Sequence, residues 1–224
     1  MGATVVRRKR KRNRRAFDLG NLYVPVVTGI TERRGRSRVF LDGEFWAELD
    51  PKVAVEFGLS EGDRLSDEEL TQVRVAGEKP LAMNRALNIL SYRARSEGEL
   101  RQSLARAGYA KQTVSEALVH LGELGYLDDK EFARNLVSSG ARKRYGPRRI
   151  LGNLRRAGVG EEVAQNAVEE EFTGRSEYEE ALAAAQRRYN TGEGSDAQAR
   201  RVYGFLMRRG YSAGVCAEVS RSYR

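Results

Sequence analysis

The sequence encodes a mainly α-helical protein: three tandem three-helix repeats in an elongated, curved array, preceded by a small N-terminal module that contains a β-hairpin. The first sign is a string that occurs three times. Leu100-x3-Leu104-x3-Gly108-Tyr109, Ile150-x3-Leu154-x3-Gly158-Val159 and Val202-x3-Leu206-x3-Gly210-Tyr211 share one pattern, with glycines 50 and 52 residues apart. Apolar residues four apart lie on one helix face. A glycine four residues later can take the left-handed conformation that closes a helix. In that register Leu104, Leu154 and Leu206 stand at C3 and meet Tyr109, Val159 and Tyr211 at C″. The second sign is a matching set of starts. Ser96 with Glu99, Ser176 with Glu179 and Ser195 with Gln198 read as capping boxes. Stacked helical units offer a long surface more readily than an enclosed pocket.

Taken in order, residues 1–21 form a basic tail. Residues 7–15 carry eight positive charges, and the remaining 32 basic and 31 acidic residues leave only +1 of the total +9. Such a block is expected to be disordered alone. It would bind phosphate backbones without sequence preference through counterion release, or serve only as a solubilising tail. Residues 22–79 form the β-containing module. Val24–Ile30 reads as an edge strand that tolerates Pro25. Ser37–Leu41 and Glu44–Leu49 flank Asp42-Gly43, a favoured type I′ turn. Arg33, Arg34, Arg36 and Arg38 fall in the loop before this hairpin. Asp50-Pro51 starts a short helix that stops at Gly58, Ser66 with Glu69 starts another, and residues 76–80 read as a linker.

The repeats follow at 80–127, 128–174 and 175–224. Their helices are expected near 81–94, 97–107, 111–124, 129–144, 147–157, 161–171, 177–190, 196–209 and 213–222. Leu121-x3-Gly125-Tyr126 repeats the stop signal, Asp128 with Glu131 is a start, and Pro147 suits a first helical position after Gly146. Gly98 and Gly122 are expected to loosen the first repeat, because glycine disfavours a helix.

Composition excludes several classes. No apolar run approaches the roughly 18 residues of a membrane span, and no apolar stretch follows the charged N-terminus as in a secretory signal. The single cysteine, Cys216, precludes an intramolecular disulfide framework, which points to a reducing cytoplasm. One histidine, His120, and one cysteine cannot build a multi-His or multi-Cys zinc site. His120 sits mid-helix between Val119 and Leu121, as a surface or packing residue. Neither a Walker loop nor a dinucleotide fingerprint occurs. Helix capping accounts for the Asp128-Asp129 pair. No catalytic residue, metal ligand or cofactor site is expected.

The folded part carries uneven charge. Arg142, Lys143, Arg144, Arg148, Arg149, Arg155 and Arg156 lie within 142–156, which holds no acid. Arg187, Arg188, Arg200, Arg201, Arg208 and Arg209 form a second set. Together with the tail residues Arg7, Arg8, Lys9, Arg10, Lys11 and Arg12, these are candidates for contact with DNA or an acidic partner. The alternative for each is a solvated surface charge, partly paired with neighbouring acids.

Several motifs resemble the RecX family of bacterial RecA regulators. Tyr92–Leu100 resembles its Y-x-x-R-x-x-S-x-x-E-L stretch with slightly contracted spacing. Gly125-Tyr126-Leu127-Asp128-Asp129 with Phe132-Ala133 resembles G-Y-[LI]-[DN]-D-x-x-[FY]-A. Arg144 to Gly158 is similar to G-x-x-[RK]-I-x-x-x-L-x-x-x-G. Val27–Ile30, Gly43–Phe45 and Gly58–Asp63 resemble the extra module of longer members. The resemblance covers about residues 22–222; the basic tail is not part of it. It implies tandem three-helix repeats that bind the groove of a RecA–DNA filament and suppress recombinase and coprotease activity. It also implies DNA binding in some members. For this chain the expected partners are a RecA filament and DNA, single- or double-stranded and non-specific, with no membrane contact, and a monomer is expected. Two other readings stay open. One is a general DNA-binding helical protein that acts mainly through its tail. The other is a nuclease that relies on scattered carboxylates such as Asp128.

Overall fold

The computed structural model describes residues 23–190 and 194–224. The basic tail, with Arg7, Arg8, Lys9, Arg10, Lys11 and Arg12, lies outside the described residues. The chain runs β1 (Val27–Arg33), β2 (Arg36–Leu41), β3 (Glu44–Leu49), α1 (Pro51–Glu56) and α2 (Asp67–Tyr92). Then come α3 (Glu97–Arg106), α4 (Lys111–Glu123), α5 (Asp129–Arg142), α6 (Pro147–Arg156), α7 (Glu161–Phe172), α8 (Glu177–Gln186), α9 (Asp196–Arg209) and α10 (Ala213–Arg221).

The three strands form one antiparallel sheet in the order β1-β2-β3. Asp42 and Gly43 both have positive φ (51° and 87°), as the β2–β3 turn requires. A second two-residue turn, Arg34-Gly35 at φ 52° and 72°, joins β1 to β2. The arginines expected in a loop therefore belong to a hairpin. Arg33 ends β1, Arg34 is in the turn, and Arg36 and Arg38 lie on β2. An Arg-Gly pair is a weak turn signal beside Asp-Gly, since arginine seldom takes positive φ.

The expected linker at 76–80 is also replaced. Helix α2 runs unbroken for 26 residues with Pro80 inside it, from a reciprocal capping box between Ser66 and Glu69. Pro80 removes one backbone donor, but tertiary contacts hold the same turn. Gly77 is pressed against Leu49 of β3, and its carbonyl accepts a 2.8 Å hydrogen bond from Asp50 N. Leu70 and Val73 belong to the core under the sheet, whereas Ala82 and Ala86 belong to the core of the first repeat. One helix thus serves two cores and ties the β module to the array. Buried Glu78 strengthens the tie. It accepts from Arg74 Nε at 2.7 Å, Ala110 N at 2.8 Å and Thr113 Oγ at 3.0 Å. It thereby caps α4, whose N-cap residue Ala110 has no side-chain acceptor.

Each repeat has its own core. Leu100, Leu104 and Leu121 are sealed in the first, Ile150 and Leu154 in the second, and Val202, Leu206 and Tyr211 in the third. Truncating one of these leucines to alanine costs about 2–5 kcal/mol. The helix stops form as the string predicts. Gly108, Gly158 and Gly210 have φ of 91°, 75° and 89°. Val159 N bonds Leu154 O at 3.1 Å and Tyr211 N bonds Leu206 O at 3.3 Å, the longer Schellman bond. Ser96, Ser176 and Ser195 each accept from the backbone N–H three residues on.

Two of the stops do more than end a helix. The C-terminal end of α6 sits on the N-terminal end of α3, and that of α9 sits on α6. A Cβ on Gly98 would lie 2.6 Å from Gly158 Cα, and one on Gly146 would lie 2.5 Å from Gly210 O. Gly98 is therefore a contact residue of the joint between repeats and does not loosen the first repeat. Ser96 Oγ donates to Ala157 O across this joint, and Glu97 N donates to Asp129 Oδ1 at 2.8 Å. Burial raises the pKa of Asp129 above the usual carboxylate value; its bond from Glu97 N opposes the shift, and the neighbouring Glu97 and Asp128 charges add to it. Asp128 caps α5 through Glu131 N at 2.9 Å.

Candidate interaction surface

The joint between the second and third repeats gathers basic residues from three helix ends. Gly146 N donates to Arg209 O at 2.8 Å and Arg148 N to Gly210 O at 3.2 Å. This brings residues 143–149, at the end of α5 and the start of α6, against residues 208–211 at the end of α9. Lys143, Arg144, Arg148, Arg149, Arg208 and Arg209 converge there, although 59 residues separate Arg149 from Arg208.

These six divide by what holds their side chains. Arg209 reaches back to α5, where its Nη1 donates to Lys143 O at 2.5 Å and Arg144 O at 3.1 Å. Its guanidinium lies 4.7 Å from the Phe205 ring centroid and 5.5 Å from that of Tyr145. Arg149 donates to Arg208 O at 3.0 Å and lies 4.0 Å from the Tyr145 centroid. Arg144, at φ 54°, pairs with Glu180 of α8 at 3.1 Å. The Tyr211 hydroxyl faces the carbonyls of Arg144 (3.0 Å) and Glu180 (3.2 Å). Burial pushes the Tyr211 phenol up to about 12, with Glu180 adding to the shift and Arg209 and Arg144 opposing it. Arg149 and Arg209 cap carbonyls and pack on the Tyr145 ring, and Arg144 is tied to Glu180; all three do structural work. Lys143, Arg148 and Arg208 are exposed, and among the described residues no hydrogen bond or ion pair holds their side chains.

The other candidates are scattered. Arg142 donates to Ser138 Oγ at 3.0 Å. Arg155 and Glu161 form a two-pronged pair at 2.8 and 2.5 Å, and that bond pulls the exposed Glu161 down to about 2. Arg156 is folded back on Asn153 at 2.5 Å. These two stand at the far end of α6 from the cluster. Arg188 packs on Phe205 at 5.3 Å and Tyr189 at 5.9 Å, while Arg187 is exposed. Arg200 lines an open groove of about 550 Å³ with Tyr203, Arg221 and Arg224, and Arg201 is exposed beside it. Arg224 is 3.4 Å from Asp196.

Sequence reasoning missed Tyr145, Tyr211 and Glu180, which organise the cluster, as well as Arg221 and Arg224. Tyr211 is legible in the sequence only as the residue that follows a helix stop, Tyr145 stands four residues from Arg149 without a recognisable pattern, and the remaining partners of the three lie 31 to 67 residues apart. Among the described residues, no group of three or more His, Cys, Asp or Glu is placed to hold a metal ion. No helix among them is long and apolar enough to cross a membrane.

Comparison with known proteins agrees with this architecture. Sequence models of the first, second and third three-helix domains of RecX match residues 82–121, 128–168 and 176–219. The Regulatory protein RecX of Lactobacillus johnsonii is 31% identical over 150 residues, 66% of this chain and 55% of the relative. That of Bacillus subtilis is 30% identical over 149 residues, 65% of this chain and 56% of the relative. The matched part therefore spans a little over half the length of these relatives. A crystal structure of a regulatory protein RecX aligns with a TM-score of 0.56 at 24% identity, covering 88% of this chain and all of the other. RecX from Lactobacillus salivarius aligns at 0.54 and 22%, covering 65% and 96%. These two show a shared fold. With three successive domain models matched in order onto three successive three-helix units, the chain belongs to the RecX family.

Proposed function

We propose that this chain is a non-catalytic negative regulator of a RecA recombinase. It would lie in the groove of the RecA–DNA filament and hinder strand exchange, coprotease activity or filament growth. Family membership and the relatives' description as regulatory proteins support the class. The observation that carries the proposal is the convergence of six basic residues at the joint of α5, α6 and α9. Three of them shape the joint and three face solvent unpaired. A cationic surface attracts a polyanionic assembly, and rigid positioning by Arg144, Arg149 and Arg209 lowers the ordering cost of the contact. Lys143, Arg148 and Arg208 are the contact residues; Arg187, Arg200 and Arg201 are exposed candidates away from the joint.

The test is RecA ATP hydrolysis on single-stranded DNA with three proteins: full chain, a chain lacking residues 1–15, and a Lys143→Ala/Arg148→Ala/Arg208→Ala variant. The full chain inhibits, and the triple variant needs about tenfold more protein for the same inhibition. Equal potency of the triple variant would remove these residues from the surface. Absence of inhibition by the full chain, with DNA binding lost on tail deletion, would favour a general DNA-binding protein acting through residues 7–15.

A further inference from the structure

The outer face of the sheet contains an irregularity with a specific effect. Along β2, Ser37, Val39 and Leu41 point to the core, while Arg36, Arg38 and Phe40 point away from it. Across to β3, Arg38 stands opposite Glu48 and Val39 opposite Ala47, but Phe40 stands opposite Phe45. Trp46 is the extra residue of a bulge. Strict alternation would send Phe45 to the same side as Ala47 and Leu49, inside. The bulge re-aims it outward, where it is 51% exposed and meets Phe40 edge-on with centroids 6.0 Å apart. The Arg38 guanidinium lies 5.0 Å from the Phe45 centroid and 5.6 Å from that of Phe40, and its Nε makes no hydrogen bond. On the same side, β1 places Thr31 opposite Arg38 and Arg33 opposite Arg36. Glu48 is engaged by Arg36 at 2.8 Å and lies 3.8 Å from Arg38. Arg33 and Arg34, at the hairpin tip, are exposed and have no bonding partner among the described residues.

We propose that this face is a platform for single-stranded nucleic acid. An unpaired base presents a flat π surface that stacks on an exposed aromatic ring, and its backbone brings phosphates within reach of cations. Phe45, backed by Phe40 and Arg38, supplies the stacking surface; Arg33 and Arg34 meet the phosphates. An acidic peptide would use the arginines and leave the re-aimed ring idle. An apolar partner would use the ring and leave the cations unmatched. An unpaired strand uses both at once. Stacking on a ring accepts any base, so binding is tolerant of sequence.

The chain's one tryptophan, Trp46, is the bulged residue next to Phe45; it packs half-buried against the core under the sheet and senses changes at Phe45. The experiment titrates the full chain, without RecA, with a thymidine oligomer at low salt and follows Trp46 emission together with oligomer anisotropy. Emission is quenched saturably as the oligomer binds. Phe45→Ala weakens the Trp46-monitored binding at least about fivefold, whereas Phe45→Tyr, which keeps a ring, restores it. Arg34→Asn, which keeps a residue tolerant of positive φ, weakens binding and flattens its salt dependence. Anisotropy that saturates with Trp46 emission unchanged, or Phe45→Ala binding as tightly as the parent, overturns the proposal and leaves the face to a protein partner. Failure here would not touch the RecA reading, which rests on the α5–α6–α9 joint.

Discussion

Gly98 and Gly158 meet backbone to backbone, so closely that a Cβ on Gly98 would fall 2.6 Å from Gly158 Cα and 2.7 Å from Ala157 O. Helix propensity alone says that Gly98→Ala should stabilise α3 by about 1 kcal/mol. The contact reverses the sign. Backbone cannot move aside as a flexible side chain does, so the substitution is expected to destabilise by about 1–3 kcal/mol. Gly152→Ala, in α6 with open space around the new methyl, is expected to stabilise by about 0.5–1 kcal/mol. Urea denaturation of both variants checks the pair of opposite signs.

Arg208 and Arg209 are neighbours with different work. Arg209→Met removes the donor shared by the Lys143 and Arg144 carbonyls and is expected to cost about 1–3 kcal/mol. Arg209→Lys is not expected to recover the loss, because an ammonium lacks the flat guanidinium that stacks on Phe205 and Tyr145. Arg208→Met should stay within about 0.5 kcal/mol. A drop in stability for Arg208→Met equal to that for Arg209→Met would reject the division between joint and contact arginines.

Tyr211 gives the third repeat a pH limit. Its folded pKa, about 12, lies above the ordinary 10, so the neutral phenol is the stabilising form. That contribution is complete below pH 10 and is lost as pH rises through 12. Tyr211→Phe is expected to cost about 1 kcal/mol at neutral pH. The gap between the two proteins should narrow and then reverse across pH 10–12, because a shift of that size outweighs the single hydrogen-bond contribution. Paired denaturation curves from pH 8 to 12 measure it, and a gap that stays constant would contradict the assignment.

Glu78 receives three donors on one carboxylate. Glu78→Gln keeps the shape but has a single acceptor oxygen, and an amide nitrogen that faces donors. The expected cost is about 1–3 kcal/mol. Amide exchange in the first turn of α4, from Ala110 onward, should accelerate more than exchange in α7; uniform acceleration would mean that Glu78 does not cap α4.

What could be read in the sequence follows from range. The repeated helix stops, the serine starts and the Asp42-Gly43 turn are local agreements between a residue type and a backbone need. The expected 97–107, 129–144, 147–157 and 196–209 helices accordingly appear as α3, α5, α6 and α9 within one or two residues. Continuity of α2 through Pro80 depends on Leu49 and Asp50, some 30 residues away, and no local signal carries it. The candidate arginines show the same limit. Their positions were visible as charge, but pinning of Arg144, Arg149 and Arg209 depends on Tyr145, Glu180 and carbonyls of another repeat. The family resemblance identified the fold and could not make this division.

The glycine joints also have an electrical consequence. At each one the carbonyl-rich end of one helix meets the N–H-rich end of another: α9 against α6, then α6 against α3. Opposite partial charges of about half an elementary charge are thus brought together and largely cancel. This is why Gly146 needs no side-chain cap where α6 begins. Two other ends along these helices are offset by side chains instead: Ser195 and Asp196 where α9 starts, and Arg106 where α3 ends.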